Sequence, residues 1–422
     1  MHVRQITFAH VATALGVLAL SVATSMSGDA TTRLHRVAVT GDSAPGGGTF
    51  DRFGAESMPI VAPVNARGDV VFFATLARSG IDEGLFLSSR GRLVAVAREG
   101  DSVPGVGRLS GFGKHPTPAL NDDGTVVFAA AVTGGRTVEG IFAARSGRIR
   151  ALALSGAAAP GFASGVLATL DAPAINVRGD VAFLATVRRG RESLEAVLLA
   201  TGGRLRKIVA QGDPAPAGGT FAGFGPPALN RAGTVAFGAA VEGKTVPGGI
   251  FVASGGQLRM VLGAGDETPI GGIFAKFSER VGLSDDGAIA FHGLLKAAPV
   301  PAAIFVIEDG RPRAVARLGD AAPGGGTFSN FGLWPAVSAA GSIGFAASVD
   351  DGPSPVIIVR AGREGLHRVV GVGDTLPGGA RIASLTLFPV LSVSASGAVS
   401  FAVAPTATGD GAEGVFLAAP GP

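Results

Sequence analysis

The stretch Asn65-Ala66-Arg67-Gly68-Asp69-Val70-Val71-Phe72 decides the fold, because the chain repeats its pattern seven times. In each copy an Asn or Ser begins a turn that ends in glycine, and a strand of the form Val/Ile-x-Phe follows. The turn glycines are Gly68, Gly124, Gly179, Gly233, Gly287, Gly341 and Gly397, and their successive differences give a period of 54 to 56 residues. A fixed period of this length indicates stacked supersecondary units that bury their apolar faces against one another.

The sequence around the second copy of the turn predicts four short strands. They cover residues 118–121, 125–131, 140–144 and 148–154, and short polar segments separate them. Four short strands joined by tight turns and repeated around a ring are typical of the blades of a β-propeller. We therefore predict an all-β protein, a single seven-bladed β-propeller over residues 33–417 with four-stranded antiparallel blades.

The second strand of each repeat has one bulky face and one nearly flat face. Alternate positions on the flat face are small, as at Ala182, Ala236, Ala290 and Gly344. The bulky face carries Phe72, Phe128, Phe183, Phe237, Phe291, Phe345 and Phe401. We expect each phenylalanine to pack on the flat face of the neighbouring blade, where its burial contributes about 1.5–3 kcal/mol.

Proline and arginine mark the two edges of each predicted sheet. Proline stands three residues before the turn Asn or Ser at Pro118, Pro173, Pro227 and Pro335. A central strand would not tolerate it, so the first strand is predicted to be the inner edge that lines the channel. Arginines punctuate the fourth strand, as expected of an outer edge protected against strand addition. They are Arg92, Arg148, Arg150, Arg204, Arg206, Arg259 and Arg313.

The two ends of the chain predict how the ring closes. The last repeat ends after its third strand, residues 414–417. Residues 33–37 precede Gly41-Asp42 with the same offset with which residues 204–208, a fourth strand, precede Gly212-Asp213. The N-terminal strand is therefore predicted to complete the blade begun by the C-terminal strands.

The first residues predict export from a bacterial cell. Residues 1–27 combine a short basic start, an apolar stretch and small residues, which fits a signal peptide or an uncleaved N-terminal anchor. We expect a periplasmic or extracellular protein that contacts the membrane only if this segment stays uncleaved. The chain has no cysteine, so it forms no disulfide and has no thiol chemistry.

No catalytic residue, cofactor or metal site can be assigned from the sequence. The recurring Asp42, Asp101, Asp213, Asp266, Asp320 and Asp374 follow glycine in a Gly-Asp-x-x-Pro segment. We expect them to accept hydrogen bonds from their own turns. Residues 238–245 match a phosphate-binding loop, but a strand rather than a helix is predicted to follow, so no nucleotide is expected. His292 is expected to be a hydrogen-bonded interior histidine. A net charge of +3 without a basic run gives no reason to expect nucleic acid.

The loops between the second and third strands vary most, and they share a predicted face with the Gly-Asp-x-x-Pro crossovers. Variation on one face of a rigid scaffold favours ligand binding there, with loop drift as the alternative. The candidate residues of this face are Arg78, Glu83, Arg136, Glu139, Arg188, Glu192, Lys244, Lys296, Asp350 and Glu413. Arg280 and Trp334, in the inner strands, are candidates for the channel.

The repeated segments 65–72, 176–183 and 230–237 resemble the bacterial NxxGxxAF tandem-repeat proteins. The resemblance covers roughly residues 33–417 and implies an exported protein without an assigned activity. Our first hypothesis is a scaffold that binds a protein or an envelope component through the variable-loop face. The alternative is a propeller hydrolase or lyase with a metal or a polar site at the central channel.

Overall fold

A computed structural model describes residues 32–54, 61–113, 116–243, 246–385, 391–405 and 413–421. The regular secondary structure of these residues is entirely β and forms seven antiparallel sheets. The inner strands of all seven sheets line one central channel. The predicted seven-bladed β-propeller is therefore confirmed.

Each blade runs from an inner strand at the channel to an outer strand at the rim. The first three blades contain β2 (Thr49–Phe50), β3 (Val70–Ala77), β4 (Glu83–Ser89) and β5 (Arg92–Arg98); β6 (Ser102–Val103), β7 (Gly107–Gly111), β8 (Ala119–Leu120), β9 (Val126–Thr133), β10 (Glu139–Arg145) and β11 (Arg148–Leu154); and β12 (Val166–Ile175), β13 (Val181–Arg189), β14 (Glu192–Thr201) and β15 (Arg204–Ala210).

The next three blades repeat this arrangement. They contain β16 (Thr220–Phe224), β17 (Ala228–Leu229), β18 (Val235–Glu242), β19 (Gly248–Ser254) and β20 (Gln257–Gly263); β21 (Ile273–Phe277), β22 (Gly282–Leu283), β23 (Ile289–Lys296), β24 (Ala302–Glu308) and β25 (Arg311–Arg317); and β26 (Thr327–Phe331), β27 (Ala336–Val337), β28 (Ile343–Asp350), β29 (Val356–Gly362) and β30 (Gly365–Gly371). In the segment that resembles a phosphate-binding loop, residues 238–242 belong to β18, which pairs with β19, and residues 244–245 lie outside the described residues.

The seventh blade joins the two ends of the chain. Its strands are β31 (Ser392–Val393), β32 (Val399–Val403), β33 (Gly414–Ala419) and β1 (Arg33–Val39). Strand β1 pairs antiparallel with β33, and Arg33 lies opposite Ala419. The predicted closure by the N-terminal strand is confirmed.

The inner strand is longer than the sequence predicts, and in most blades it is in two pieces. In the fourth blade both β16 and β17 pair with β18, and residues 225–227 between them belong to neither. Pro227 has no N–H to donate to the ladder, which accounts for the interruption. The sequence predicted only the second piece, which is equivalent to residues 118–121 of the second blade, and not the first piece with its two phenylalanines.

The blades pack on one another as the alternating second strand predicts. Ala182 of the third blade lies in one core cluster with Phe237 of the fourth, and Ala236 lies with Phe291 of the fifth. A Cβ built on Gly344 would meet Val393 of the next blade at 2.6 Å, so only a flat face fits there. The phenylalanines of the repeated Val/Ile-x-Phe strand are all buried, with at most 2% exposed.

Hydrogen bonds of the turn asparagines also join neighbouring blades. In the first four blades Nδ2 of this asparagine donates to the backbone carbonyl of the equivalent turn residue one blade further on. The pairs are Asn65 to Asn121 (3.1 Å), Asn121 to Asn176 (3.2 Å), Asn176 to Asn230 (3.0 Å) and Asn230 to Ser284 (3.2 Å). In the last three blades a serine occupies this position, at Ser284, Ser338 and Ser394, and its shorter side chain bonds within its own turn.

Candidate functional site

The central channel holds a cavity of about 270 Å³ whose wall comes from all seven blades. Short apolar side chains and prolines of the inner strands form most of this wall, among them Pro63, Pro118, Pro173 and Pro227. The wall is nearly uniform because every blade presents the same repeat position to the channel. A blade that carries a different kind of side chain at this position therefore indicates where the channel could bind a ligand specifically.

Two neighbouring blades break the uniformity at one position. Four residues before the turn Asn or Ser, the first four blades carry Val61, Thr117, Ala172 and Pro226. At the same position the fifth and sixth blades carry Arg280 and Trp334, and both line the cavity. The structure thus brings the two predicted channel residues together in one wall. Whether they bind a ligand stays a prediction.

Arg280 is half-buried and is the one charged residue among the described residues that line this cavity. Burial lowers the pKa of its guanidinium, and the negative charge of Asp171 acts in the opposite direction. Among the described residues none forms an ion pair with it. Thr117, elsewhere in the wall, has a buried hydroxyl without a hydrogen-bond partner in the same part of the chain. A guanidinium in such a site can bind a carboxylate through two parallel N–H···O bonds.

The loops between second and third strands lie on the same face as the crossovers, as predicted. In the second blade the loop at Gly134–Arg136 and the crossover at Pro104–Gly107 line one surface cavity. A Cβ on Gly135 would meet the carbonyl oxygen of Val106 at 1.9 Å, so the two segments are in close contact. We call this side of the molecule the loop face.

Three acidic candidates of the loop face bond the next blade. Oε1 of Glu83 accepts a hydrogen bond from the Phe112 backbone N–H (2.8 Å). The equivalent bonds join Glu139 to Leu170 (2.8 Å) and Glu413 to Phe53 (2.7 Å). Burial raises the pKa of the Glu83 and Glu139 carboxyls, while the backbone hydrogen bond acts in the opposite direction.

The third blade supplies the same carboxylate from a residue that the sequence analysis did not select. Oε2 of Glu195 accepts a hydrogen bond from the Phe224 N–H at 3.2 Å. The selected residue, Glu192, instead pairs with Arg189 at 2.8 Å on an exposed hairpin. Strand β14 begins three residues before Glu195, whereas β4 and β10 begin at their glutamates. For this reason the sequence analysis selected Glu192, which stands at the start of the strand, and not Glu195. The sequence does contain a pattern that identifies these glutamates, because each of them directly precedes a small residue of the third strand. The small residues are Gly84, Gly140, Ala196 and Gly414.

The basic candidates of the loop face are exposed and unpaired. Arg78, Arg136, Arg188 and Lys296 form no ion pair with any residue that the structure describes, and neither does the exposed Asp350. Lys244 lies outside the described residues. Glu83, Glu139 and Glu413 are engaged in interblade bonds. The same loops also carry the exposed carboxylates of Asp82, Glu242 and Asp351, so the charges available on this face have both signs.

The crossover aspartates have the structural role that was predicted. In each of the six, Oδ2 accepts the backbone N–H three residues earlier, at 2.7–3.0 Å. Five also pair with an arginine or lysine beside them, as Arg368 does with Asp374 at 2.7 Å. Within the described ranges no group of three or more His, Asp or Glu side chains is placed to hold a metal ion.

His292 differs from its prediction. The side chain is buried, with 4% exposed, but its Nε2 has no hydrogen-bond partner among the residues described. Burial lowers the pKa of His292 to about 4. The imidazole is therefore neutral near pH 7, and the expected interior hydrogen bond is not formed at this nitrogen.

Comparison with protein families identifies what the chain is related to. A model of a family of unknown function, DUF7453, matches residues 5–355, so the chain belongs to that family. No curated protein matches it. In the part of the chain that the structure describes, no helix is long and apolar enough to cross a membrane.

Two solved structures are similar to the chain at low sequence identity. A puromycin-hydrolysing peptidase of Mycobacterium tuberculosis is 13% identical with a TM-score of 0.50, over 88% of this chain and 56% of that one. PorZ, a surface component of the type-IX secretion system of Porphyromonas gingivalis, is 13% identical with a TM-score of 0.48, over 90% and 48%. The chain thus spans about half the length of either protein, and the first similarity supports the fold alone.

Proposed function

We propose that the chain is an exported binding propeller that captures an acidic segment of a partner protein at the channel mouth of its loop face. One observation carries the proposal: Arg280 and Trp334 stand side by side in neighbouring blades at a position that is otherwise small or apolar. Arginine and tryptophan are the side chains most often found to dominate protein-binding energy.

Each of the two side chains has a distinct part in such binding. The Arg280 guanidinium would donate two hydrogen bonds to an aspartate or glutamate of the partner. The Trp334 ring would provide the large rigid surface against which the partner's neighbouring apolar group packs. The absence of an ion pair with any described residue leaves Arg280 available for this role.

The exposed cations of the loop face support the same choice of partner. Arg78, Arg136, Arg188 and Lys296 come from four different blades on the loop face, interspersed with the exposed Asp82, Glu242 and Asp351. Their field would attract an acidic surface from a distance and raise the rate of association, an effect that added salt weakens. The resemblance to tandem-repeat exported proteins and the pattern of residues 1–27 support a location outside the cytoplasm.

Differential capture tests the proposal. The tagged full chain would be used as bait in an extract of the cell envelope, beside Arg280→Met and the control Arg148→Met, which removes an exposed outer-strand charge instead. We expect wild type and the control to retain the same acidic protein, with retention falling steeply as salt rises, and Arg280→Met to lose it.

Three results would contradict this proposal. Equal capture by Arg280→Met and Arg148→Met would remove Arg280 from the site. Capture of a polysaccharide or lipid without protein would change the class of partner. Chemical turnover of the retained molecule, abolished by Arg280→Met, would favour the hydrolase or lyase alternative, for which no described group of residues gives separate support.

A further inference from the structure

The junction between the fourth and fifth blades contains a largely apolar cleft of about 460 Å³. Phe277, which packs on Phe274 and Phe291 at this junction, contributes its aromatic surface. Phe224 also lines the cleft, but its ring packs with Phe221 and Phe237 in the core between the third and fourth blades. Gly223, Gly225, Gly238, Gly248 and Gly249 leave the space open, and Ala239, Ala240 and Ala264 complete the apolar part of the wall. The volume is within the range of cavities that hold small molecules.

The cleft lies where other blade junctions hold a glutamate carboxylate. Glu83, Glu139, Glu195 and Glu413 each bond the backbone N–H of the next inner strand. Gly248 occupies the equivalent position in the fourth blade, at the start of β19. The carboxylate that fills the preceding junction is therefore missing here.

The N–H that lacks this carboxylate belongs to Phe277. In the fourth blade the Gly225 N–H bonds the Gly238 carbonyl, and the preceding N–H, of Phe224, points away from its sheet toward Glu195. In the fifth blade the Ser278 N–H bonds the His292 carbonyl in the same way. Because N–H directions alternate along a strand, the Phe277 N–H points away from β23, and no described side chain accepts it.

The two following junctions differ from this one. In the sixth blade Oδ1 of Asn330 accepts the equivalent N–H, that of Phe331, at 2.9 Å, and Ala302 stands in place of the glutamate. At the junction of the sixth and seventh blades Val356 fills the position, and residues 386–390 beside it lie outside the described ranges. Among the described junctions, the fourth with the fifth combines an open space with a donor that no side chain satisfies.

The charged groups around the cleft favour a negative ligand. Lys276, next to the Phe277 N–H, is exposed, lines the cleft and forms no ion pair with a described residue. Glu279 is the one carboxylate among the lining residues; its side chain is exposed, and its carbonyl oxygen lies 1.9 Å from a Cβ built on Gly225. The Phe277 N–H and the ammonium group of Lys276 can together bind an anionic oxygen.

We propose that this cleft binds a small monocarboxylate with an apolar body. The ligand carboxylate accepts the Phe277 N–H and pairs with Lys276, in the place that the Glu195 carboxylate takes one blade earlier. The apolar body lies between Phe277 and the flat face that Gly238 and Ala240 of β18 present to the cleft. This site is separate from the Arg280 site, and each proposal can fail without the other.

Binding of matched acids and amides to the full chain tests the ligand class. Phenylacetate, 4-phenylbutyrate and octanoate are the probes, and 4-phenylbutyramide is the neutral control, with binding measured by isothermal titration calorimetry. We expect at least one acid to bind with one-site stoichiometry and the amide to bind at least about tenfold more weakly, since it loses the charge-assisted bonds.

Three variants and one control substitution locate the site. Lys276→Met should weaken acid binding about tenfold, whereas Arg259→Met, an exposed charge on the outer strand of the fourth blade, should leave it unchanged. Gly248→Glu should abolish binding by supplying the carboxylate from the chain itself. Because a Cβ on Gly248 would lie 2.7 Å from the Ala239 carbonyl oxygen, Ala264→Leu is a second variant that fills the cleft without new charge and should also abolish binding.

The outcomes separate clearly. Failure of all three acids to bind, or equal binding of acid and amide, would overturn the proposal. It would also be overturned if acids bound Ala264→Leu as well as wild type, or if only a peptide with a free C-terminal phenylalanine bound, which would assign the cleft to peptides. Glu279→Gln should bind acids at least as well as wild type, and a loss of binding there would contradict the choice of an anion.

Discussion

The junctions among the first four blades contain polar bonds that the junctions among the last three lack. The first blade is joined to the second, the second to the third and the third to the fourth by both a turn asparagine and a strand glutamate. The fourth keeps only the asparagine toward the fifth. Among the described residues, the two junctions that join the last three blades to one another contain neither, although other bonds occur there, such as Arg360 to the Gly397 carbonyl. Of these two kinds of bond, only the glutamate bond, from Glu413, joins the seventh blade to the first.

This difference shows that apolar packing between blades forms the ring, whereas the asparagine and glutamate bonds are found at only some of its junctions. Phenylalanine packs on a flat neighbouring face in both regions, with Phe183 and Phe345 equally buried. Apolar packing is therefore sufficient for stacking, and the asparagine and glutamate bonds add to it. Arg280, Trp334 and the cleft at Gly248 all lie in blades or junctions where one or both of these bonds are absent. Both proposed sites therefore lie in the region with fewer hydrogen bonds between blades.

Removal of the closing strand should have the largest effect on either region. Deletion of residues 33–40 leaves β33 as an unpaired edge at the junction of the last and first blades. We expect cooperative folding to be lost, because the first blade then has no complete neighbour on one side. A thermal melt by circular dichroism measures this, and an unchanged cooperative transition would contradict the closure.

Acid should destabilise the fifth blade through His292. The folded pKa of about 4 lies below the unfolded value of 6.5, so the unfolded state takes up the proton first as the pH falls. Stability should be constant above about pH 7 and should fall by about 3 kcal/mol as the pH decreases from 6.5 to 4. Urea unfolding at several pH values measures this loss.

A substitution at His292 provides the control. His292→Ala gives the fifth blade the residue found at the equivalent Ala129 and Ala346. The variant should lose this part of the pH dependence while keeping the rest. If wild type and variant lose stability in parallel between pH 6.5 and 4, His292 is not the titrating group.

Substitution of one glutamate tests whether these hydrogen bonds stabilise the junctions among the first four blades. Glu139→Ala leaves the buried Leu170 N–H without an acceptor, so we expect a loss of about 1–3 kcal/mol in the free energy of unfolding. Glu192→Ala removes only an exposed ion pair and should cost less than about 0.5 kcal/mol. Equal effects of the two in urea titrations would deny Glu139 a joining role.

Addition of an asparagine to the weaker region should have the smallest effect. Ser284→Asn supplies the side chain that donates across the equivalent turns, as Asn230 does to Ser284 at 3.2 Å. One added hydrogen bond between the fifth and sixth blades should raise the free energy of unfolding by about 0.5–1.5 kcal/mol. The reverse change, Asn121→Ser, should lower it, and opposite signs in both variants would show that the asparagines do not join the blades.

Much of the fold could be predicted from the sequence because the decisive interactions repeat. The turn glycine, the Val/Ile-x-Phe strand and the offset of residues 33–37 are visible in the chain alone. The first piece of the inner strand was missed because its Gly- and Pro-rich approach resembles a loop, and it pairs with the far half of the second strand.

The candidate site was less predictable, because its meaning depends on contacts between blades. Arg280 and Trp334 could be selected from the sequence, but the uniform wall around them is visible only in the ring. Glu139 was selected as a candidate of the ligand face, and its hydrogen bond with the Leu170 N–H, 31 positions away, could not be read from the repeat. The cleft at Gly248 lies where the fourth blade lacks the equivalent glutamate bond to the next blade. This absence cannot be recognised from the pattern of a single repeat.

Amide hydrogen exchange at two equivalent phenylalanines tests the comparison most directly. Phe224 and Phe277 are both half-buried and occupy the same place in neighbouring blades, but only the Phe224 N–H has a glutamate acceptor, at 3.2 Å. Measured by NMR on the full chain without ligand, the Phe277 amide should exchange much faster than that of Phe224. Equal protection of the two amides would contradict the account of an unfilled junction between the fourth and fifth blades.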